Sequence, residues 1–177
     1  EKIEAIEVHK NSAEEAAQNF DTSKWKEKLR AKHISFADFL HTNTSEFSLI
    51  TCNPPYFSHS LLSKHTDRNL VRHEQSLGFT NLIKGAADLL SDNGYFACII
   101  PYDRSEEFEK RAAGFQLFCQ RKTLVVAKEG KKASRVLFEF RPEKADPVIE
   151  NTLLIRHEDD TYTSDYKALT RELYLAF

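Results

Sequence analysis

The sequence is poor in glycine and contains no methionine. Its 177 residues include only five glycines, whereas average usage would give about 12. Each glycine stands alone, at positions 78, 85, 94, 114 and 130, so the sequence shows no Gly-x-Gly loop that could cradle a phosphate. No run approaches the roughly 18 consecutive apolar residues of a membrane helix, and no signal peptide is recognisable. We therefore expect no membrane anchor.

The cysteines and the net charge indicate the cellular compartment and limit the kind of nucleic-acid binding that is possible. Cys52, Cys98 and Cys119 are odd in number and widely spaced, which argues against a disulfide framework and favours a reducing, cytosolic compartment. The net charge of -2 excludes a uniformly basic nucleic-acid-binding surface but leaves room for a local basic face. Length and composition are those of a single globular domain, which we expect to span residues 1–177.

Short apolar or alternating segments, typical of strands, are interspersed along the chain with segments of helical periodicity. Strands are predicted at Ile3–Val8, His33–Phe36, Glu46–Cys52, Tyr95–Ile100, within Phe115–Ala127, at Arg135–Phe140 and at Thr152–Arg156. Helices are predicted from Ser12 to about Phe20, from Phe79 to Leu90, from Glu106 to Ala113 and from about Ser164. This order predicts an α/β doubly wound, mostly parallel sheet with an antiparallel strand pair at its end.

Three local expectations accompany this topology. The basic stretch Ser23–Arg30 is predicted as one or two helical turns. Between Phe39 and Phe47 the chain has barely room for a crossover between parallel strands, so a minimal connection is expected there. The final helix is expected to pack Tyr166, Leu169, Leu173 and Phe177 along one stripe.

The strongest chemical signal is the motif Asn53-Pro54-Pro55-Tyr56 at the carboxyl end of a predicted strand. Two prolines fix φ and remove two backbone donors, which leaves carbonyl oxygens and the Asn53 side-chain oxygen as acceptors. Such a rigid turn suits an exocyclic NH2 group, and holding both hydrogens directs the nitrogen lone pair toward an electrophile. Tyr56 and Phe57 can stack on the flat group that carries the amine. The alternative is a stiff turn that merely ends a strand.

This motif resembles the catalytic motif of class I S-adenosylmethionine-dependent amino-group methyltransferases. The resemblance implies a Rossmann-like sheet in which Asn53, Pro54, Pro55 and Tyr56 form the catalytic turn. On this resemblance Asn53 and the Pro54 carbonyl hold the target amine, while Tyr56 stacks on the target. Asn53 would also border the cofactor, S-adenosyl-L-methionine.

The same resemblance assigns two acidic positions to the cofactor. Glu7, at the end of the first predicted strand, fits the acid that accepts hydrogen bonds from the cofactor ribose hydroxyls. Asp38, followed by Phe39, fits the acid that approaches the cofactor adenine. Both acids would also complement a cationic sulfonium group electrostatically. Read without the resemblance, an acid after a strand is more often a helix cap or a solvated loop residue.

The C-terminal segments Leu153–Arg156 and Tyr162–Leu175 make the resemblance narrower. They look like the terminal strand and helix of the bacterial tRNA1(Val) adenine-37 N6-methyltransferases, and the likeness extends along the chain from Ile3 onward. It implies a cytosolic enzyme that methylates N6 of an adenine beside the anticodon of a tRNA. The first strand and glycine-rich loop of that family would precede Ile3 and are absent from this sequence, so we expect them upstream.

Two other functions remain open from the sequence. A protein methyltransferase that acts on a glutamine side-chain amide of release factors would use the same acceptor turn. A nucleic-acid-binding fragment that has lost its cofactor loop would need neither the methyl donor nor the turn. The tail Tyr162–Leu175 favours the tRNA enzyme over the first of these alternatives.

RNA binding by this chain would require local basic groups. Three groups are present: Lys24, Lys26, Lys28, Arg30 and Lys32; Lys64, Arg68 and Arg72; and Arg121, Lys122, Lys128, Lys131, Lys132 and Arg135. The second group follows the Asn53 turn, so we assign it to the substrate together with Tyr56, Phe57 and His73. A solvated surface is the alternative for every group. The histidines do not match zinc-ligand spacings, and we expect no metal site.

Overall fold

The computed structural model describes residues 2–54 and 78–174. The chain divides into two compact units, one ending at Ser45 and one beginning at Glu46. The strands are β1 (Ile3–Glu7), β2 (Leu29–His33), β3 (Phe47–Cys52), β4 (Leu90–Pro101), β5 (Phe118–Lys128), β6 (Arg135–Arg141) and β7 (Ile149–Arg156). The helices are α1 (Lys10–Thr22), α2 (Phe36–Thr42), α3 (Phe79–Leu89), α4 (Ser105–Gly114) and α5 (Ser164–Thr170). None of the helices in these residues has the length and apolar character needed to cross a bilayer.

The first unit is a parallel pair of strands, β1 and β2, with helices α1 and α2. Ile3 pairs with Leu29 and Glu7 with His33, so the carboxyl ends of both strands lie at one edge. Strand β2 occupies part of the basic stretch that we expected to be helical, because exposed Arg30 alternates with more buried neighbours at Leu29 and Ala31.

Helix α2 is the second difference in this unit. The sequence predicts a strand at His33–Phe36, but His33 ends β2 and Phe36 begins α2. The connection between β2 and β3 therefore spans residues 34–46 and contains a helix. The expected minimal connection is wrong because β2 lies earlier in the chain than its apolar content indicated.

The second unit contains a five-stranded sheet in the order β3-β4-β6-β5-β7. Strands β3 and β4 pair in parallel, as do β5 and β7, whereas β6 is antiparallel to both of its neighbours. The predicted antiparallel pair and its hairpin are present, but β6 lies inside the sheet and β7 forms the edge. Consequently β3, β4, β5 and β7 all end at one edge, which we call the carboxyl edge.

The core of the second unit is built from phenylalanine. The rings of Phe96, Phe108, Phe138 and Phe140 are fully buried, with centroids 5.1 Å apart for Phe138–Phe140 and 5.9 Å apart for Phe108–Phe140. Three of them come from alternate positions of β4 and β6, and Phe108 comes from α4. Alternation along the strands thus directs one face of the sheet to this core, which fixes the strands that end at the carboxyl edge.

The C-terminal helix departs from its expected packing. Helix α5 begins at Ser164 as predicted, but Leu169 and Leu173 are 64% and 82% exposed rather than packed on a stripe with Tyr166. The helix is held instead through its first residues. Thr163, its N-cap, is buried and donates its hydroxyl hydrogen to the carbonyl oxygen of Leu154 in β7 at 2.5 Å.

Candidate functional site

The carboxyl edge of the second unit presents Asn53 immediately after β3. Cys52, the last residue of β3, pairs with Cys98 of β4, and Pro54 is buried with less than 2% of its surface exposed. Asn53 itself is exposed between these two anchored neighbours. A buried proline with a fixed φ on one side and a paired strand on the other restrict the conformations of Asn53. The turn therefore presents Asn53 from a rigid part of the fold.

Asn53 borders a shallow depression of about 450 Å³ on the second unit. Its lining residues come from β3, β4 and β6 and include Thr51, Ala97, Ile99 and Leu137. The floor is therefore apolar, with Asn53 among the polar groups at its margin, an arrangement that suits a flat apolar ring carrying a polar substituent. Another concavity, of about 520 Å³, lies in the first unit against Ile3, Trp25, Lys28 and Leu29, at the amino ends of β1 and β2.

All of the predicted substrate-binding residues lie outside the described part of the chain: Tyr56, Phe57, Lys64, Arg68, Arg72 and His73. Pro55 of the predicted catalytic turn lies outside it as well. The structure therefore describes the surroundings of two residues of the predicted catalytic turn, Asn53 and Pro54.

The thiols next to Asn53 are suppressed as nucleophiles. Burial raises the pKa of Cys52 to about 11, from an ordinary value of 9.0. Burial also raises the pKa of Cys98 strongly, with smaller contributions from the neighbouring thiols of Cys52 and Cys119. Because the thiolate is the reactive form, neither cysteine is suited to covalent catalysis at neutral pH.

In the first unit, Glu7 ends β1 as expected. Its carboxylate oxygen Oε1 accepts a hydrogen bond from the backbone N–H of His9 at 2.8 Å, and its backbone carbonyl accepts one from Ile34 at 3.0 Å. His9 is the N-cap of α1, so the carboxylate also lies near the positive end of that helix. Glu7 therefore has a local structural role whatever it binds.

Asp38 lies in the first turn of α2, not at a strand end. The hydroxyl of Ser35, the N-cap, donates to Oδ2 of Asp38 at 2.6 Å and accepts from the Asp38 N–H at 3.0 Å. This reciprocal pair is a capping arrangement. Phe39, the next residue, is buried, with the ammonium of Lys32 at 5.4 Å from its ring centroid. Phe39 accordingly contributes to the packing of the first unit.

The two acids retain capacity for a ligand. A carboxylate offers about four acceptor positions, and the hydrogen bonds given above occupy one on Glu7 and one on Asp38. Asp38 is exposed and Glu7 is half-buried. Both lie near one edge of the first unit, since Glu7 pairs with His33 and α2 begins shortly after it. The carboxylate oxygens at this edge fit the hydroxyl and amine groups of a nucleoside.

The members of the third basic group are close together in the sequence, but the structure places them in two different parts of the sheet. Arg121 and Lys122 lie within the first half of β5, where Lys122 pairs with Glu150 at 2.9 Å. Lys128, Lys131, Lys132 and Arg135 instead belong to the β5–β6 hairpin at the carboxyl edge. Only this second subset shares the edge with Asn53.

Sequence reasoning missed one residue of the carboxyl edge. Tyr102 follows β4 directly, is 48% exposed, and donates its backbone N–H to the carbonyl of Ser134 at 3.1 Å. Its position after the apolar run that ends at Pro101 was the available signal, because ligands of open α/β sheets bind beyond the carboxyl ends of strands. Within residues 2–54 and 78–174, no cluster of three or more His, Cys, Asp and Glu side chains is arranged to hold a metal ion.

Solved structures with this fold are methyltransferases. A predicted O-methyltransferase from Agrobacterium tumefaciens superposes with a TM-score of 0.70 at 14% identity, covering 99% of this chain and 79% of that one. A TehB-like SAM-dependent methyltransferase from Corynebacterium glutamicum gives a TM-score of 0.52 at 12% identity, covering 80% and 68% of the two chains. At these identities the likeness shows the fold alone, and it confirms the expected Rossmann-like fold.

Sequence relatives are closer, although no family model matches the chain. The tRNA1(Val) (adenine(37)-N6)-methyltransferase of Haemophilus influenzae is 32% identical over 176 residues, which are 99% of this chain and 74% of that protein. The enzyme of the same name from Bacteroides fragilis is 36% identical over 172 residues, covering 97% and 72%. Identity of this extent, with the Asn53 turn at the carboxyl end of β3, shows that the chain belongs to the tRNA1(Val) (adenine(37)-N6)-methyltransferase family.

Proposed function

We propose that this protein transfers the methyl group of S-adenosyl-L-methionine to N6 of adenine 37 in tRNA1(Val). The observation that carries the proposal is the identity to enzymes of that name along nearly the whole chain, 32% over 176 residues for one of them. The exposed Asn53 at the carboxyl edge supports it independently, since that edge is where open α/β sheets bind their ligands.

The chemistry assigned to the turn is to hold and orient an amine. The Asn53 side-chain oxygen and the Pro54 carbonyl accept the two hydrogens of the adenine N6 amine, which favours a pyramidal nitrogen whose lone pair points away from the turn. The bound cofactor supplies an electrophilic methyl group on a cationic sulfur. Once alkylated, the nitrogen loses a proton readily to solvent, so the chain needs no strong general base. Tyr56 and Phe57 stack on the adenine ring.

The cofactor residues on this proposal are Glu7, Asp38 and Phe39 in the first unit and Asn53 in the second. Glu7 accepts hydrogen bonds from ribose hydroxyls, and Asp38 accepts one from the adenine amine of the cofactor, each through the oxygen that the local capping contacts leave available. Lys64, Arg68, Arg72 and His73 contact the tRNA. We assign both units to one methyltransferase domain that acts on tRNA in the cytoplasm without a metal ion.

Labelled methyl transfer tests the function. The protein is incubated with radiolabelled S-adenosylmethionine and one of three acceptors: tRNA1(Val), the same tRNA with adenine 37 replaced by guanine, or a release factor. We expect label on the first acceptor only. Label on the release factor would instead support glutamine methylation, and undiminished label on the substituted tRNA would overturn the proposed target.

The mechanism is tested separately at Asn53. Replacement of a single preorganised polar contact at a reacting centre typically lowers kcat by about 10²- to 10³-fold, so Asn53→Ala is expected to lose kcat to that extent at saturating cofactor. Ser48→Ala, which alters an exposed side chain of β3 outside the depression, is the matched control. Unchanged kcat in Asn53→Ala would contradict the assigned role even if the tRNA were methylated.

A further inference from the structure

We propose that Lys131 and Lys132, in the β5–β6 hairpin loop, bind phosphates of the tRNA arm whose base is presented at Asn53. This inference rests on the proposed function for the identity of the RNA. The binding site itself is argued from the hairpin, because the loop combines a fixed conformation, two lysines outside any ion pair of the described residues, and a position on the carboxyl edge that also presents Asn53.

The hairpin loop is held at several backbone positions. The N–H of Lys131 donates to the carbonyl of Lys128 at 3.0 Å, and Gly130 takes a φ of 75°, in the left-handed region that favours glycine. At the base of the loop the N–H of Ser134 donates to Val125 at 2.9 Å. Ser134 in turn accepts from Tyr102, which ties the loop to the end of β4. The two lysines are thus mounted on an ordered turn, and little backbone entropy is lost when they bind.

Lys131 and Lys132 differ from four other lysines of the second unit in having no ion pair within the described residues. Lys84, Lys110, Lys122 and Lys128 each form an ion pair with a carboxylate. Lys131 and Lys132 are exposed, and neither forms an ion pair with any residue in the described part of the chain. From Lys128 to Arg135 the loop carries four cations and one anion, Glu129, in a chain whose net charge is -2. A polyanion is the natural partner of such a local excess.

The register of the sheet gives the distance from Asn53. Cys52 is level with Cys98 and Phe138, whereas Pro101 is level with Arg135 and Val125, three residues farther along β4. Lys128 lies three residues beyond Val125 on β5. At about 3.3 Å per residue the hairpin rises about 20 Å beyond the end of β3, and it is displaced sideways by two to three strand spacings, about 10 to 14 Å.

This separation determines which part of the tRNA Lys131 and Lys132 can contact. A base held at Asn53 cannot also reach a group about 20 Å away, so the hairpin meets the backbone on either side of the target nucleotide or in the adjoining stem. Phosphate contacts of this kind position an RNA without reading its sequence. The assigned role is therefore affinity and orientation, and the reacting atoms are left to the Asn53 turn.

Acidic residues fix the side from which the RNA approaches. On the β7 side of the hairpin lies the loop His157–Tyr162, whose Asp160 pairs with Lys128 at 2.9 Å and whose Glu158 and Asp159 are exposed. Glu129 faces the same loop and lies 3.6 Å from His157. Phosphates are repelled on that side. The favourable path runs from the hairpin across the ends of β6 and β4 toward β3, which is the direction of Asn53.

The test compares the double variant Lys131→Gln/Lys132→Gln with Lys144→Gln. Lys144 is also exposed, and it follows β6, which ends at the edge of the sheet opposite the carboxyl edge. Its ammonium lies 5.1 Å from the Phe118 ring centroid. The dissociation constant for tRNA1(Val) is measured against salt concentration, and KM and kcat are measured for methyl transfer. We expect the double variant to raise Kd and KM about tenfold and to reduce the slope of log K against log salt by about 1 to 2, with kcat at saturating tRNA retained.

Lys144→Gln is expected to behave as the unsubstituted protein does. Binding of S-adenosylhomocysteine by both variants verifies that they are folded. An unchanged salt slope in the double variant, or an equal reduction in Lys144→Gln, would overturn the inference. If the unsubstituted protein bound tRNA without methylating it, the proposed function would fail, yet a reduced slope in the double variant would still support the phosphate site.

Discussion

Cys52 of β3 lies directly opposite Cys98 of β4, and the next residue along β3 is Asn53. Two thiols at one level of a parallel pair place small apolar side chains beneath the turn, where a charged or hydrated group would loosen it. Cys98 is buried and Cys52 is half-buried, and this burial raises the pKa of Cys52 to about 11. The rigidity of the Asn53 turn thus depends partly on residues with no chemical role.

The cysteines are expected to be poor nucleophiles in the native protein. A pKa of about 11 instead of 9.0 lowers the thiolate fraction of Cys52 about 100-fold at pH 8, and its partial burial slows access further. Iodoacetamide labelling at pH 8, followed by mass spectrometry, should therefore modify Cys52 at least about 100-fold more slowly than in urea. Labelling of native Cys52 at the rate of the unfolded chain would contradict the buried register.

The same raised pKa values predict a loss of stability at alkaline pH. In the unfolded chain the thiols ionise near 9.0, whereas native Cys52 stays protonated to about 11 and native Cys119 to about 12. The native state therefore binds more protons in this window, and the free energy of unfolding falls as pH rises above about 9. Urea unfolding from pH 8 to 10.5 should show this fall, and a Cys52→Ala/Cys119→Ala variant should show a shallower one.

Variants at Ser35 and Asp38 can distinguish the structural role of Asp38 in the N-cap of α2 from its proposed role in cofactor binding. Ser35→Ala removes the N-cap of α2 and should cost about 1 kcal/mol of stability with the affinity for S-adenosylhomocysteine nearly unchanged. Asp38→Asn keeps an acceptor near the Ser35 hydroxyl but removes the carboxylate charge, so its affinity for the ligand should fall about tenfold. Calorimetric titration and thermal unfolding measure the two effects. Equal affinity losses in both variants would show that Asp38 acts only through the cap.

The sequence predicted the second unit better than the first. Strands β3 to β7 contain long apolar or alternating runs, and all but β4 were expected within about three residues of their observed positions. Strand β4 begins at Leu90, five residues before the expected start at Tyr95. Strand β2 was missed because its apolar members are only Leu29 and Ala31 and its basic residues suggested a helical surface. Pairing with β1, including the ion pair of Lys32 with Glu4 at 2.7 Å, makes this segment a strand, and such a partner is not visible in a local window.

One part of the candidate site could likewise be predicted from the sequence, and another part could not. Asn53-Pro54 was identifiable because proline chemistry is local and its effect on the backbone does not depend on distant residues. The hairpin lysines were grouped with Arg121 and Lys122, since proximity in sequence is all that a charge cluster displays. Only the extended conformation of β5 places Lys122 about 20 Å from Lys128, six residues along the strand, with Lys122 paired to Glu150.

Gly94 is expected to be essential for the start of the second sheet. A Cβ atom at this position would lie 2.8 Å from the backbone oxygen of Phe47, the first residue of β3, and 2.7 Å from Cγ of Leu90. Gly94→Ala should therefore destabilise the protein by about 1 to 3 kcal/mol through overpacking. Gly114→Ala, whose Cβ meets nothing within 4 Å, is the control and should be neutral or slightly stabilising. Equal unfolding midpoints for the two variants in urea would contradict the close approach of Gly94 to β3.

Thr163 is expected to hold the C-terminal helix on the sheet. Its hydroxyl donates to the Leu154 carbonyl at 2.5 Å and accepts from the Tyr166 N–H at 3.3 Å, and the residue is only 6% exposed. Thr163→Val keeps the shape but leaves that carbonyl and that N–H without their partner, which should cost about 1 to 3 kcal/mol. Thr163→Ser keeps the hydroxyl and should cost less than half as much, because only a methyl group is lost. Urea unfolding of both variants separates the hydrogen bonds from the packing, and a Val variant as stable as the Ser variant would show that α5 is held by other contacts.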